Sequence, residues 1–191
     1  SRTGILLGQT ELDATLLENG RFVLLSREGD VYREKPITPK ANWVSYDGDL
    51  SGNRYSPLEL INSTNIKRVG PAWIFPMPTA ARMEVTPIVI DGIMYLSGWN
   101  EIYALDATTG KQLWSYSQPR TEGIQGDGGG GANRGVTVQG DGVYMVTDHA
   151  HLVAFDRFTG EKRWDVEMAA YQEGYSASSS PLPVGDLLIV G

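Results

Sequence analysis

Cysteine is absent from the 191-residue chain, and histidine occurs only as His149 and His151. The first absence excludes a disulfide framework, a thiolate zinc site, a C-x-x-C-H haem attachment and a cysteine nucleophile. The second excludes a three-histidine zinc centre. Basic residues are also scarce: 16 Lys and Arg stand against 23 Asp and Glu, a formal charge of −7. The basic face of a phosphate-tracking protein is therefore missing, and no nucleic-acid partner is expected. No apolar run approaches the roughly 20 residues that span a bilayer. The sequence opens at Ser1 without a leader pattern, which reads as a processed or excised chain.

What the chain does hold is turn residues, 23 Gly and 10 Pro, between short alternating apolar runs. With 41% hydrophobic residues it is too apolar for disorder. The period of two predicts strands at Arg21–Ser26, Thr86–Ile90, Ile93–Ser97, Glu101–Leu105, Gln112–Tyr116, Val136–Gln139, Gly142–Thr147, Leu152–Phe155, Lys162–Glu167 and Leu187–Val190. Asp91-Gly92, Thr109-Gly110, Asp141-Gly142 and Thr159-Gly160 supply tight reversals between them. Only Pro57–Asn65 reads as a short helix. The fold class is all-β.

An internal repeat narrows the architecture. Ala104–Trp114 and Ala154–Trp164 both fit A-x-D-x-x-T-G-x-x-x-W, 50 residues apart, and each follows two strands. Four strands with a fixed Trp at this period make a β-propeller blade. The Asp and Thr can hydrogen-bond across the turn, and the Trp is suited to wedge between blades. A degenerate unit precedes, with Trp73 41 residues before Trp114, and another begins at Ser179 and reaches only two strands. Because an open stack leaves strand edges and apolar faces uncovered, residues 41–191 are expected to be part of a larger propeller whose remainder lies in the same gene or a companion chain. Residues 1–40 hold a hairpin around Asn19-Gly20 and a linker at Pro36–Pro39. They read either as a small β appendage or as an extended arm.

The run Trp43–Leu58, with Ile61-Asn62 and Asn65-Ile66, resembles the opening segment of the pyrroloquinoline-quinone (PQQ) dependent alcohol dehydrogenases. Glu84–Val89, Asn133–Val136, His151–Asp156 and Ser180–Leu182 follow in that family's order. The resemblance implies an eight-bladed propeller of which this chain is about the first third. It also implies PQQ on the propeller axis with Ca²⁺ or a lanthanide, and an alcohol or sugar hydroxyl as substrate. A cytochrome-type electron acceptor and a periplasmic or secreted location follow from the same resemblance. In the family an Asp takes the hydroxyl proton, hydride passes to the quinone and the metal acts as Lewis acid. The metal ligands and that Asp match positions beyond Gly191, so no catalytic or metal residue is assigned here, and these residues alone are expected to be inactive.

Three residues are candidates for cofactor contact. Glu84, otherwise a strand-edge charge, matches a Glu that hydrogen-bonds the quinone. Arg134 follows the glycine-rich stretch Gly126–Gly131, which lets backbone approach a ligand, and its guanidinium fork suits a tricarboxylate. Without the resemblance it reads as a surface salt-bridge partner. Ser178 stands where the family often has a donor Thr, and otherwise belongs to a run of turn serines. Gly128 and Gly129 occupy the places of a vicinal Cys pair that covers the quinone in many members, so the covering here is expected to be backbone. The glycine stretch is not a phosphate loop, because no G-K-[ST] and no helix follow it. Asp47-x-Asp49-x-Ser51-Gly52 imitates half of a calcium loop but lacks its closing Glu and is read as a turn. The two histidines are expected on one face of a strand, without a third ligand. The competing reading is a non-catalytic propeller that serves as a scaffold or subunit in an assembly.

Overall fold

The computed structural model describes residues 3–9, 13–19, 21–34, 42–49, 52–78 and 82–191. The linker at Pro36–Pro39 lies outside the described residues. The chain divides into two compact units, residues 1–39 and 40–191.

The first unit is a four-stranded antiparallel meander of β1 (Ile5–Gln9), β2 (Asp13–Glu18), β3 (Arg21–Glu28) and β4 (Val31–Glu34). Ala14 pairs with Leu25 and Leu16 with Val23, so alternation puts one apolar face together. Ala14, Val23 and Leu25 are buried there, with Leu16 and Tyr32 packed against them.

The second unit is built from blades. β5 (Ile88–Ile90), β6 (Ile93–Gly98), β7 (Glu101–Asp106) and β8 (Gln112–Ser117) form one antiparallel sheet in chain order. β9 (Thr137–Gln139), β10 (Gly142–Val146), β11 (His151–Asp156) and β12 (Lys162–Glu167) form the next. β13 (Leu182–Val184) and β14 (Leu187–Ile189) make a further hairpin. The chain is thus all-β, as its alternation predicts. The first strand of the β5–β8 sheet begins at Ile88 rather than Thr86, since Pro87 has no N–H for a ladder.

The repeat maps onto the turn between the third and fourth strands of each blade. Asp106 Oδ1 accepts from Thr108 N at 2.8 Å, and Asp156 Oδ1 accepts from Phe158 N and Thr159 N at 2.9 Å. Each blade has a register slip at the same place, after Ala104 and after Ala154. The Trp side chains link each blade to the segment before it, which for Trp73 is a stretch without strands among its described residues and for Trp114 is the preceding blade. Trp73 Nε1 donates to Ala107 O at 3.1 Å, and Trp114 Nε1 donates to Arg157 O at 2.8 Å, a carbonyl 50 residues on. The ring of each Trp lies on the glycine of the turn it reaches. A Cβ at Gly110 would stand 2.5 Å from Trp73, and one at Gly160 would stand 2.7 Å from Trp114. Both glycines have positive φ, 71° and 75°. The aromatic seam continues through Tyr95, Trp114, Phe155 and Tyr116.

Three expectations are corrected. Pro57–Asn65 is not helical: Ser56 Oγ accepts from Leu58 N, Asn62 Oδ1 from Thr64 N and Asn65 Oδ1 from Asn62 N, so short polar side chains take the donors a helix would use. Only a 3₁₀ turn follows, at Ile66–Arg68. A single helical turn, α1 (Gly126–Gly129), does form in the glycine-rich stretch. His149 and His151 do not share a strand, because Ala150 at φ 60° turns the chain and only His151 enters β11.

Candidate cofactor site

Glu84, Arg134 and Ser178 occupy equivalent places. Each lies three or four residues ahead of the leading strand of its unit: β5, β9 and β13 respectively. Glu84 and Arg134 are 50 residues apart, the offset of the blade repeat. The leading strands β9 and β13 run near one another, with Gln139 Nε2 donating to Gly185 O at 2.9 Å and Thr137 Oγ1 to Pro181 O, and Thr86 O, just ahead of β5, lies beside Gly135. The segments ahead of them therefore converge.

Arg134 is the centre of the cluster. Its backbone N–H donates to Ser178 O at 2.8 Å, and its Nη1 donates to Ser178 Oγ at 2.5 Å. Its Nη2 lies 3.2 Å from Glu84 Oε2 and 2.9 Å from Asp127 Oδ2. Arg82 Nε holds the other Glu84 oxygen at 2.6 Å. The structure thus brings together the three candidates named from sequence and adds two that sequence reasoning did not single out, Arg82 and Asp127. Two guanidinium groups and two carboxylates balance. The hydrogen bond and charge of Arg134 hold the Asp127 carboxyl below its ordinary value, and Asp127 in turn raises the guanidinium above its own.

Gly128 and Gly129 sit in α1, beside Asp127. A Cβ at Gly128 would stand 2.8 Å from Ser176 Cβ, and one at Gly129 only 2.3 Å from Ile124 O. The demand for glycine at both places is thus packing of the turn against its own neighbours. Gly131, at φ 81°, lies on the ring of Trp99, where a Cβ would come within 2.3 Å. The Arg120 guanidinium also lies over that ring, 3.5 Å from its centroid.

Buried Asp148 fixes this region. It accepts from Trp99 Nε1, Thr121 N and Thr121 Oγ1 at 2.9–3.0 Å, and it faces His149 Nδ1 at 3.0 Å. Burial opposes its ionisation, but hydrogen bonds from Thr121, Asn100 and His149 together outweigh burial and hold its carboxyl below the ordinary value. Asn133, beside Arg134, is likewise buried. Its Oδ1 accepts from Ser97 Oγ and Gly135 N, and its Nδ2 donates to Val146 O. Both side chains tie the loop that carries the site to the sheets beneath.

A cleft of about 290 Å³ lies beside the cluster, lined by Val44–Asp47, Ile88, Val136, Thr137 and Ser180–Pro183, among others. It is lined by none of Glu84, Arg134 or Ser178, and the charged side chains in its lining are Asp47 and Asp49. Among the described residues no three His, Asp or Glu side chains converge as a metal site. No helix of the described residues is long and apolar enough to cross a membrane.

Residues 43–161 match the family model for the β-propeller domain of glucose, ethanol and alcohol dehydrogenases that use PQQ. The chain is 38% identical over 183 residues to the quinoprotein alcohol dehydrogenase PedH of Pseudomonas putida, covering 94% of this chain and 30% of that protein. The quinohemoprotein alcohol dehydrogenase of Comamonas testosteroni superposes with a TM-score of 0.72 at 30% identity, over 81% of this chain and 24% of that one. A europium-containing methanol dehydrogenase superposes with a TM-score of 0.69 at 25% identity, over 80% of this chain and 27% of that one. The chain thus spans less than a third of the length of these proteins.

Proposed function

Because the chain belongs to the PQQ-dependent glucose/ethanol/alcohol dehydrogenase β-propeller family, we propose that it supplies one wall of a quinone-cofactor site in an enzyme oxidising an alcohol or sugar hydroxyl. The observation that carries this reading is the convergence of Arg134, Ser178 and Glu84 from the leading ends of three successive units.

The donor set suits PQQ, a tricarboxylate with ortho-quinone oxygens. Arg134 presents a cation whose fork pairs with carboxylate or quinone oxygen. Ser178 Oγ accepts from Arg134, which leaves its O–H free to donate to a ligand. Glu84, held by Arg82 on one oxygen, orients the guanidinium from the other. When bound, the quinone supplies a two-electron acceptor for the alcohol carbon. A cytochrome-type acceptor then takes the electrons onward, a reading supported by the haem in the name of the Comamonas relative. Ca²⁺ or a lanthanide needs several oxygen ligands. The described residues hold no such set, so in this proposal the ligands of the ion belong to the rest of the propeller.

The test is a titration of the complete propeller, this chain together with the rest of the protein, with PQQ, read by quinone absorbance and by calorimetry, with and without Ca²⁺ or La³⁺. Arg134→Ala removes a charge-assisted pair and is expected to weaken binding about tenfold or more. Equal binding by the wild type and Arg134→Ala, or no binding by the wild type, would overturn the assignment.

A further inference from the structure

The four charges of the cluster are not held alike. Glu84 is bound from two sides, by Arg82 Nε at 2.6 Å and Arg134 Nη2 at 3.2 Å, and its side chain is 25% exposed. Asp127 is 58% exposed, and among the described residues its side-chain hydrogen bond is to Arg134, at 2.9 Å. Arg134 itself stays anchored without Asp127, through Ser178 O, Ser178 Oγ and Glu84. Asp127 therefore neutralises the guanidinium without being needed to aim it. With more than half of its side chain exposed, the Asp127 carboxylate can leave Arg134 by rotating into solvent.

We propose that Asp127 is a built-in stand-in for a ligand carboxylate: it occupies the Nη2 edge of Arg134 and is displaced when a polycarboxylate binds. This rests on the cofactor-site reading above and adds the residue that tunes its affinity. Nη2 carries two N–H groups and already faces two carboxylates, Glu84 at 3.2 Å and Asp127 at 2.9 Å, so a ligand carboxylate that takes this nitrogen must displace one of them, and Asp127 is the more exposed and the less anchored. Asp127 thereby weakens the site for any anion that cannot engage Ser178 and Arg134 together, and so discriminates against simple carboxylates.

The experiment measures affinity for PQQ, and for citrate as a simple tricarboxylate, in the complete propeller carrying the wild-type sequence, Asp127→Asn or Arg134→Ala, at low ionic strength. Circular dichroism checks that each variant is folded. Asp127→Asn is expected to bind PQQ about two- to fivefold more tightly, the range set by the energy of an exposed ion pair, and citrate binding is expected to gain at least as much. A role in merely positioning Arg134 predicts the opposite sign. Unchanged or weaker PQQ binding by Asp127→Asn overturns the stand-in, and if Arg134→Ala still loses binding, the cofactor-site reading survives. Failure of all three proteins to bind PQQ overturns both. A carboxyl ¹³C signal of Asp127 that moves toward its ordinary titration on adding PQQ supports displacement, and one that stays fixed while PQQ binds refutes it.

Discussion

Gly160→Ala tests the blade junction directly. At φ 75° an L side chain is strained by roughly 1–2 kcal/mol. The new Cβ also stands 2.7 Å from the Trp114 ring, which is buried and tied by its Nε1 to Arg157 O at 2.8 Å. Displacing a packed ring adds an overpacking cost of about 1–3 kcal/mol. The expected destabilisation is therefore about 2–5 kcal/mol. Gly140→Ala is the control, since it has φ 55° but nothing within 4 Å of the added carbon, so it should cost only the backbone part. Urea unfolding of both variants, followed by Trp fluorescence and by far-UV circular dichroism, separates the two contributions. Repeating Gly160→Ala in a Trp114→Ala background should bring its cost down to that of Gly140→Ala, because the ring that resists the methyl is gone. Equal costs for Gly160→Ala and Gly140→Ala in the wild-type background would refute the ring-on-glycine account.

Asp148→Asn replaces an acceptor that serves three donors and faces His149. It should destabilise by about 2–3 kcal/mol in thermal unfolding at neutral pH. The Asp148 carboxyl is held below its ordinary 3.8, so its contribution is complete above that pH and is lost as pH falls through the lower folded value. The wild type should lose stability below about pH 4 more steeply than Asp148→Asn does. Asn133→Ala leaves Ser97 Oγ, Gly135 N and Val146 O without their partner and should cost about 1–3 kcal/mol, while also lowering PQQ affinity through the adjacent Arg134. Asp156→Ala releases Phe158 N and Thr159 N from the docking turn and should cost about 1 kcal/mol by urea unfolding.

The blades were legible because their determinants are local. An Asp that caps its own turn, a Gly at positive φ and a Trp four residues on are written within eleven residues, and they recur. The helix expected at Pro57–Asn65 failed for an equally local reason that periodicity does not register, the capture of backbone donors by Ser56, Asn62 and Asn65. The site divides in the same way. Glu84 and Arg134 share the repeat offset, so their convergence follows from blade equivalence once the propeller is accepted. Asp127 and Arg82 carry no such mark. Asp127 is one acid in a glycine run, and only the geometry of α1 turns it toward Arg134. Gly128 and Gly129 stand in the resemblance where a Cys pair covers the quinone, and the close neighbours Ser176 and Ile124, which leave no space for a Cβ, are visible only in the structure.

The junction between blades has two unlike halves, a Trp ring on one side and a glycine turn on the other. Such a contact is heterologous: it has a donor face and a recipient face and never pairs with itself. Repetition of a heterologous contact ends only when rotation brings the last donor back to the first recipient; otherwise it continues as an open stack. Trp164, the donor of β12, is 39% exposed, and Val166 and Met168 are exposed further along the chain. By the pattern of Trp73 on Gly110 and Trp114 on Gly160, the partner the Trp164 ring calls for is the glycine turn of the following blade. Ring closure is thus a safeguard against polymerisation as well as a way to enclose a cofactor, and wherever closure is delayed, the concentration of neighbouring blades decides which fate prevails.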